Sequence, residues 1–353
     1  MASIDDYLDC MNRLEASDLH LKSGRIPRFR VSGTLAEYEG FEPLESEDIH
    51  RLVGEILTRD QEDRFETSSE VDFSYGSHEL GRFRCNYFKD VRGPAAVFRR
   101  ISSIVPTLAE LDLPEVVERF VHLRSGLVLV TGPTGSGKSS TLAAIIDAIN
   151  THYSKHIITL EDPIEFVFES KSSIIHQRGL HQDMIEFGEG LFAAMREDPD
   201  VIMVGELRDL ETIRLALAAA EMGALVFATL HTNGAGETID RIIDAYPGEE
   251  QAQIRAMLSQ SLEGVVSQVL LPRLEGEGRI AATEILVGTP AIANIIREGK
   301  TQDIYNVLQS GRRFGMHALD DTLERLVTKR QVAPAEAYAY AQNKSRFERL
   351  FQV

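Results

Sequence analysis

The chain has 353 residues, of which 43% are hydrophobic and 26% are charged, and its net charge is −18. This length allows about two domains, each with its own core. The acidic balance argues against a wide nucleic-acid footprint, because phosphate binding needs clustered lysine and arginine. Having only Cys10 and Cys85 excludes a disulfide framework and a four-cysteine zinc site. The acidic N-terminus differs from a signal peptide and no apolar run reaches membrane-spanning length, so we expect a cytoplasmic protein.

Residues 1–101 are predicted to form an α+β domain, because apolar residues at helical spacing alternate with runs of period two. In the strand predicted at Leu80–Phe88, alternation puts Arg84 on the face opposite the apolar side chains. Arg99 lies on the strand that follows. Spacing alone favours a solvated sheet face for both arginines, since exposed charge needs no function. The alternative is that they sense the γ-phosphate of a nucleotide bound to another domain or subunit.

A linker is predicted at 102–114, where Pro106 and Pro114 interrupt short apolar pieces, and a second domain follows at 115–353. Its strands alternate with helices, which predicts an α/β fold with a mainly parallel sheet covered on both faces. From about residue 290 the pattern is entirely helical, and residues 344–353 are interpreted as an interaction tail or a frayed end. The predicted strands are Leu127–Thr131, His156–Leu160, Ser173–His176, Val201–Val204, Leu225–Leu230 and Arg279–Leu286.

The strongest motif is Gly132–Ser139, GPTGSGKS, which fits G-x-x-x-x-G-K-[ST] between an apolar strand and a helix. Glycines let backbone N–H groups converge on one anion, at which the positive end of the next helix also points. We expect Lys138 to reach the β- and γ-phosphates of ATP and Ser139 to ligate Mg²⁺. A chance glycine turn is the alternative. The predicted phosphate-binding residues are Thr134, Gly135, Ser136, Gly137, Lys138, Ser139 and Ser140.

Hydrolysis also needs groups that orient a water molecule and hold the metal. Glu165 follows the second predicted strand and Glu206 follows the fourth, at the strand ends where ligands of open α/β sheets gather. We assign Glu165 as the residue that polarises the attacking water and Glu206 as the acid acting through Mg²⁺ and its waters; the exchanged roles remain open. A structural interpretation has Glu161 and Asp162 capping a turn and Glu206 paired with Arg208.

His231 ends the strand Leu225–Leu230 at the same edge of the sheet. A single histidine at a strand end is more often a hydrogen-bonded structural residue than a catalyst. Its position beside the expected γ-phosphate makes it, alternatively, a sensor that reports the nucleotide state to the next helix.

Taken in chain order, these segments resemble the Walker A, Asp-box, Walker B and His-box motifs of the secretion ATPase superfamily. Two further segments resemble the start of its PAS-like N-terminal domain and the C-terminal motif of its pilus retraction branch. The resemblance implies a RecA-like P-loop NTPase domain with a helical C-terminal extension, preceded by a smaller α+β domain. The matching segments are GPTGSGKS at 132–139, LEDPIEF at 160–166, DPDVIMVGELRD at 198–209, ATLHTN at 228–233, ASDLHLKSG at 16–24 and GTPAIANIIRE at 288–298.

Within the superfamily the chain looks like a PilT-like ATPase of twitching motility. Such a resemblance implies a homohexameric motor that couples Mg-ATP hydrolysis to type IV pilus retraction, with ATP between the N-terminal domain of one subunit and the C-terminal domain of another. It assigns Arg84 and Arg99 to nucleotide sensing and favours the sensor role of His231. The implied partners are an inner-membrane platform protein, through which the motor docks at the cytoplasmic face, and a sister pilus ATPase. Neither nucleic acid nor direct membrane insertion is implied.

Three departures from the family pattern bear on this interpretation. Gln177–His181 lacks the acid usual after its Gln-Arg pair, Ala224 replaces a common histidine, and Ala293 replaces the arginine of the retraction motif. The last departure leaves an accessory PilU-like ATPase or a regulatory paralogue as an alternative. A nucleic-acid translocase is a further alternative, because RecA-like hexamers also move DNA.

Overall fold

The computed structural model describes residues 3–31, 33–38, 40–77, 79–101, 104–276 and 278–348. The chain divides into two compact units, Met1–Ile104 and Val105–Val353. This division falls within the predicted linker, of which residues 102 and 103 lie outside the described residues, as do 349–353 of the predicted tail. Leu108 and Leu113 pack against a core of the second unit, so this part of the predicted linker belongs to that unit.

The first unit is an antiparallel sheet of six strands in the order β3-β2-β1-β6-β5-β4. The inward residues Phe83, Cys85 and Tyr87 are buried as the alternation predicts, and they share one core with apolar residues of the helices. Helix α3 was not predicted, because Phe65 is its one buried residue and its sequence lacks an apolar stripe. The elements are α1 Ile4–Arg13, β1 Asp18–Lys22, β2 Arg28–Val31, β3 Thr34–Glu37, α2 Ser46–Gly54, α3 Arg59–Ser68, β4 Glu70–Ser77, β5 Gly81–Asp90 and β6 Gly93–Ile101.

The second unit has the predicted α/β fold with a mainly parallel sheet. Seven strands follow the order β13-β12-β7-β11-β10-β8-β9, and every pair is parallel except β12 with β13. Its elements are α4 Glu118–Val121, β7 Gly126–Thr131, α5 Lys138–His152, β8 His156–Glu161, β9 Ile174–Gly179, α6 Phe187–Ala194, β10 Val201–Val204, α7 Leu210–Glu221, β11 Leu225–Leu230, α8 Ala235–Asp244, α9 Gly248–Ser261, β12 Leu262–Pro272, β13 Arg279–Val287, α10 Pro290–Glu298, α11 Ile304–Ser310, α12 Leu319–Thr328, α13 Pro334–Tyr340 and α14 Lys344–Glu348.

Strands β7, β10 and β11 are buried along their whole length, which accounts for their continuous apolar sequences. Between residues 290 and 348 the regular elements are all helices, as expected. Among the residues that the structure describes, none of the helices combines the length and the apolar character that a membrane span needs.

Strand β12 is missing from the predicted strands, although it pairs with both β7 and β13. It begins at Leu262 directly after Ser261 of α9, with no turn residues to mark the change. The buried Gln268 also interrupts its apolar run. A helix that runs into a strand without a glycine or proline gives no boundary signal, so the pattern concealed a central element of the sheet.

Gly264 of β12 lies against the ring of Phe120. A Cβ added at Gly264 would come within 2.4 Å of that ring, which is itself buried in the core. We therefore expect Gly264→Ala to lower the free energy of unfolding by about 1–3 kcal/mol, because the ring or the strand must shift. Denaturant unfolding followed by circular dichroism measures this change. Gly248→Ala is the control, since nothing lies within 4 Å of its Cβ position; equal destabilisation by both substitutions would contradict the packing argument.

Candidate active site

The candidate site lies at the carboxyl ends of four adjacent strands. β7, β11, β10 and β8 are neighbours in parallel register, so the residues that follow them emerge at one edge of the sheet. A cavity of about 420 Å³ opens there. Its lining brings together the predicted Glu165, Glu206 and His231 with six of the seven predicted phosphate-binding residues, and Ser136 does not line it. These residues come from sequence segments up to a hundred positions apart.

The loop before α5 adopts a shape that requires glycine. Gly132 has a φ of 140°, and a Cβ there would come within 2.2 Å of the Gln268 carbonyl oxygen. Gly135 has a φ of 80° with nothing within 4 Å of its Cβ position, and Gly137 has a φ of 87° where α5 begins. The first backbone N–H groups of α5 therefore start at the cavity, an arrangement that suits an anion.

Lys138 is held at the mouth of this loop. Its Nζ donates to the carbonyl oxygens of Gly132 at 2.9 Å and Pro133 at 3.1 Å. Burial lowers the pKa of Lys138, and the nearby Glu206 and Glu165 carboxylates oppose that shift. The ammonium group thus lies within a cavity where it can donate to phosphate oxygens.

A chain of polar contacts crosses the strand ends. Lys138 Nζ lies 3.4 Å from His231 Nδ1, and His231 Nε2 lies 3.2 Å from Glu206 Oε1. Arg208 then donates to Glu206 Oε2 at 2.7 Å and to Asp162 Oδ2 at 3.0 Å. With Lys138 donating, His231 Nδ1 accepts, so the ring proton on Nε2 is donated to Glu206. The Glu206–Arg208 pair considered as a structural alternative is therefore present, and both of its members line the cavity.

Glu161 has a supporting position beneath the loop that carries Glu165. It is 6% exposed, and burial raises its pKa. Its carboxylate accepts hydrogen bonds from Thr159 at 2.6 Å, from Gln177 at 3.0 Å and from the Glu165 backbone N–H at 3.4 Å. These bonds fix the loop between β8 and β9, whereas Asp162 pairs with Arg208 instead.

Sequence reasoning missed Gln268 and Arg279. The buried Gln268 side chain donates from Nε2 to the Ser136 carbonyl at 2.6 Å and accepts from the Thr141 hydroxyl at 2.9 Å. Arg279 Nη1 lies 3.3 Å from the Gly135 carbonyl and lines the cavity. The one available signal was a glutamine inside an apolar run, because a buried amide needs partners.

Arg84 and Arg99 belong to the first unit, where they face each other in the β5–β6 register. Arg84 is 46% exposed and lies 3.7 Å from Asp72, and Arg99 is 68% exposed with its Nε 2.8 Å from Asp18 Oδ1. Among the described residues, each guanidinium thus has a carboxylate partner on its own sheet. Their exposed remainder leaves N–H groups that can still donate.

The lining also suits a nucleotide with a divalent cation. Ser139 and Glu206 offer oxygens in one cavity, and Mg²⁺ uses one or two protein oxygens together with phosphate and water. Within the described ranges there is no group of three or more His, Cys, Asp or Glu side chains that could hold a metal by itself. The buried Ser136 hydroxyl has no hydrogen-bond partner among the described residues and lies behind the loop, next to Gly132.

Comparisons with known proteins agree with this geometry. A family model described as "Type II/IV secretion system protein" matches residues 3–350. The type IV pilus retraction ATPase PilT of Pseudomonas aeruginosa is 52% identical over 314 residues, which are 89% of this chain and 91% of that protein. The type IV pilus ATPase PilU of the same organism is 36% identical over 325 residues, covering 92% and 85%. The crystal structure of the pilus retraction motor PilT with bound ADP has a TM-score of 0.92 and 42% identity, covering 99% of this chain and 100% of that one.

Removing the amide of Gln268 tests whether β12 supports the loop. Gln268→Leu leaves the Ser136 carbonyl and the Thr141 hydroxyl without partners, so we expect a loss of about 1–3 kcal/mol in stability. ADP affinity should fall about two- to twelvefold if about half of that loss is borne by the loop. Fluorescence titration with a labelled ADP and denaturant unfolding measure the two effects. The control is Gln253→Leu on the exposed side of α9, and wild-type ADP affinity in Gln268→Leu would refute the supporting role.

Proposed function

The chain belongs to the Type II/IV secretion system protein family, and from that membership and the cavity at the sheet edge we propose that it is an ATPase that drives type IV pilus retraction. It hydrolyses ATP, as the relatives of this family do. The observation that carries the proposal is the convergence of the Gly132–Ser139 loop, Glu165, Glu206 and His231 on one cavity. The identity of 52% to the retraction ATPase PilT, against 36% to PilU, favours the main retraction role over the accessory one.

In the proposed site the phosphates of ATP lie at the N-terminus of α5. Lys138 donates to the β- and γ-phosphate oxygens. The Ser139 hydroxyl and Glu206 would hold Mg²⁺ directly or through water, and the bound metal would neutralise charge on the phosphate oxygens. Arg279 of β13, two strands away from β7, donates to the Gly135 carbonyl and keeps that peptide in position. The solved relative with bound ADP supports nucleotide binding by this chain.

The contacts of the two acids support distinct roles. Both carboxylate oxygens of Glu206 are engaged, one by His231 and one by Arg208. Among the described residues the Glu165 carboxylate has no hydrogen-bond partner, and it lines the cavity from a loop that Glu161 fixes. We therefore assign Glu165 as the group that polarises the attacking water and Glu206 as the acid that acts on Mg²⁺. A carboxylate without a competing donor is free to accept a hydrogen bond from the attacking water.

The motor is proposed to act as a homohexamer in which Arg84 and Arg99 complete the site of another subunit. Arginines that arrive across such an interface stabilise the charge that develops on the transferred phosphoryl group. The proposed partner is a platform protein of the inner membrane, which holds the motor at the cytoplasmic face. The relative PilU supports a sister ATPase as a second partner.

Ala293, which replaces the arginine of the retraction motif, lies on α10 and is partly buried beside the core residue Ile292.

Glu165→Gln tests the hydrolytic assignment. The amide cannot accept the proton of the attacking water, so the Mg-ATP hydrolysis rate should fall by about 10²-fold or more, with ADP affinity within about twofold of wild type. Phosphate release and equilibrium ADP titration measure the two quantities. Glu169→Gln serves as the matched control, because Glu169 is exposed in the same loop and does not line the cavity. An unchanged rate in Glu165→Gln would remove Glu165 from the mechanism.

Mixing two inactive variants tests the shared site. Arg99→Ala should reduce hydrolysis by on the order of 10³-fold, whereas Arg100→Ala on the same strand should not. In a mixed hexamer, some interfaces take Arg99 from a Glu165→Gln subunit and Glu165 from an Arg99→Ala subunit. Both groups are intact at such an interface, so part of the activity should return on mixing. Sedimentation with a non-hydrolysable ATP analogue establishes the hexamer. If the mixture stays as inactive as its components, the arginine acts within its own subunit or not at all.

A further inference from the structure

One buried carboxylate lies at the start of two helices. Glu284 of β13 is 4% exposed, and its Oε1 accepts from the backbone N–H of Ala235 at 2.8 Å. Its Oε2 accepts from the backbone N–H of Leu319 at 3.4 Å. Ala235 begins α8 and Leu319 begins α12, so each carboxylate oxygen meets one positively polarised helix N-terminus. Burial raises the pKa of Glu284, and the two hydrogen bonds from backbone N–H groups lower it.

Helix α8 is joined firmly to the loop that follows β11. The Thr232 and Thr238 hydroxyls lie 2.7 Å apart, and Glu237 accepts from the backbone N–H of Asn233 at 3.0 Å. The residue before Thr232 is His231, which contacts Lys138 and Glu206 in the cavity. Short hydrogen bonds therefore connect the segment that follows His231 to the first turn of α8.

Helix α12 continues the connection into the C-terminal helices. Asp320, the second residue of α12, is 2% exposed and accepts from the backbone N–H groups of Gln342 at 2.9 Å and Asn343 at 2.8 Å. Gln342 also lines a cavity of about 230 Å³ beside Glu284, together with Gly234. The contacts thus form an unbroken path from the active-site histidine to the segment before α14, with space beside it for a small shift.

The chain also packs closely against Glu284 at Gly234, the residue before α8. A Cβ at Gly234 would lie 3.2 Å from Glu284 Oε1. The backbone there is extended, with a φ of −176°, so a side chain at this position would crowd the carboxylate without straining the backbone. An alanine at this position presses on the carboxylate without removing its charge.

We propose that Glu284 is a positioning residue that couples the His231 loop to the C-terminal helices, so that nucleotide binding changes the stability of the first turn of α12. The inference rests on the nucleotide site proposed above. It requires no contact between Glu284 and the nucleotide, since the path runs through α8. Coupling of this kind is a differential free energy between two states of one element, so it is measurable as a change at α12 caused by a ligand at the cavity.

Hydrogen–deuterium exchange of the full chain with and without ADP tests the coupling. In wild type, ADP should slow amide exchange at 235–238 and at 319–321. Glu284→Gln replaces one accepting oxygen by an NH₂ group that faces an N–H donor, so the response at 319–321 should disappear while ADP affinity stays within about twofold. Glu263→Gln is the matched control on the paired strand β12, where burial likewise raises the pKa of Glu263. It should keep the response.

Two results would overturn the proposal: no ADP response at 319–321 in wild type, or a wild-type response in Glu284→Gln. If Glu284→Gln does not fold, Gly234→Ala takes its place and should weaken the response at 319–321; full retention overturns the coupling. Steady-state hydrolysis adds a second readout, in which Glu284→Gln should lower kcat about tenfold with KM within about twofold. The kcat is expressed per ADP-binding site measured by titration, so that unfolded protein does not contribute to the loss. Absence of hydrolysis in wild type would contradict the proposed function alone, because the exchange measurement needs only ADP binding.

Discussion

Parallel pairing of β7, β11, β10 and β8 is the constraint on which the rest of the second unit depends. These strands are buried on both faces, so polar chemistry can lie only where they end. Parallel register places all four carboxyl ends at one edge, and strand order decides which ends are neighbours. The phosphate loop therefore lies beside His231, His231 beside Glu206, and Glu206 beside the Asp162 segment.

The polar side chains at this edge hold one another in place. One series of contacts joins Lys138, His231, Glu206, Arg208 and Asp162. A partly buried polar or charged group is costly without a partner, and each of these groups has one that follows a neighbouring strand. The same series connects the residue expected at the γ-phosphate with the acid expected at the metal, so the two cannot move independently.

The local sequence pattern was sufficient to predict the elements whose periodicity or motif lies within one short stretch of the chain. The phosphate loop with its flanking strand and helix, the apolar strands β10 and β11, and the inward face of β5 all follow from periodicity and glycine placement. Contacts between strands that are distant in sequence could not be predicted from the local pattern, because they depend on the order of the strands in the sheet. Spacing alone could not place Arg208 between two acids. The prediction missed β12 for a different reason, because α9 passes into it without a breaking residue. Since the strand was missed, the role of Gln268 in supporting the phosphate loop was missed as well.

The antiparallel pair β12–β13 connects the two sides of the sheet. In its register Gln268 is opposite Thr283 and Glu284 is opposite Ser267, so the two long polar side chains lie on opposite faces at adjoining positions. On one face Gln268 holds the phosphate loop and α5, and on the other Glu284 holds the starts of α8 and α12. Each is a buried polar group in an apolar strand, which is stable only while its partners stay in place. A shift of this ribbon along β7 would therefore disturb the phosphate loop on one face and the starts of α8 and α12 on the other.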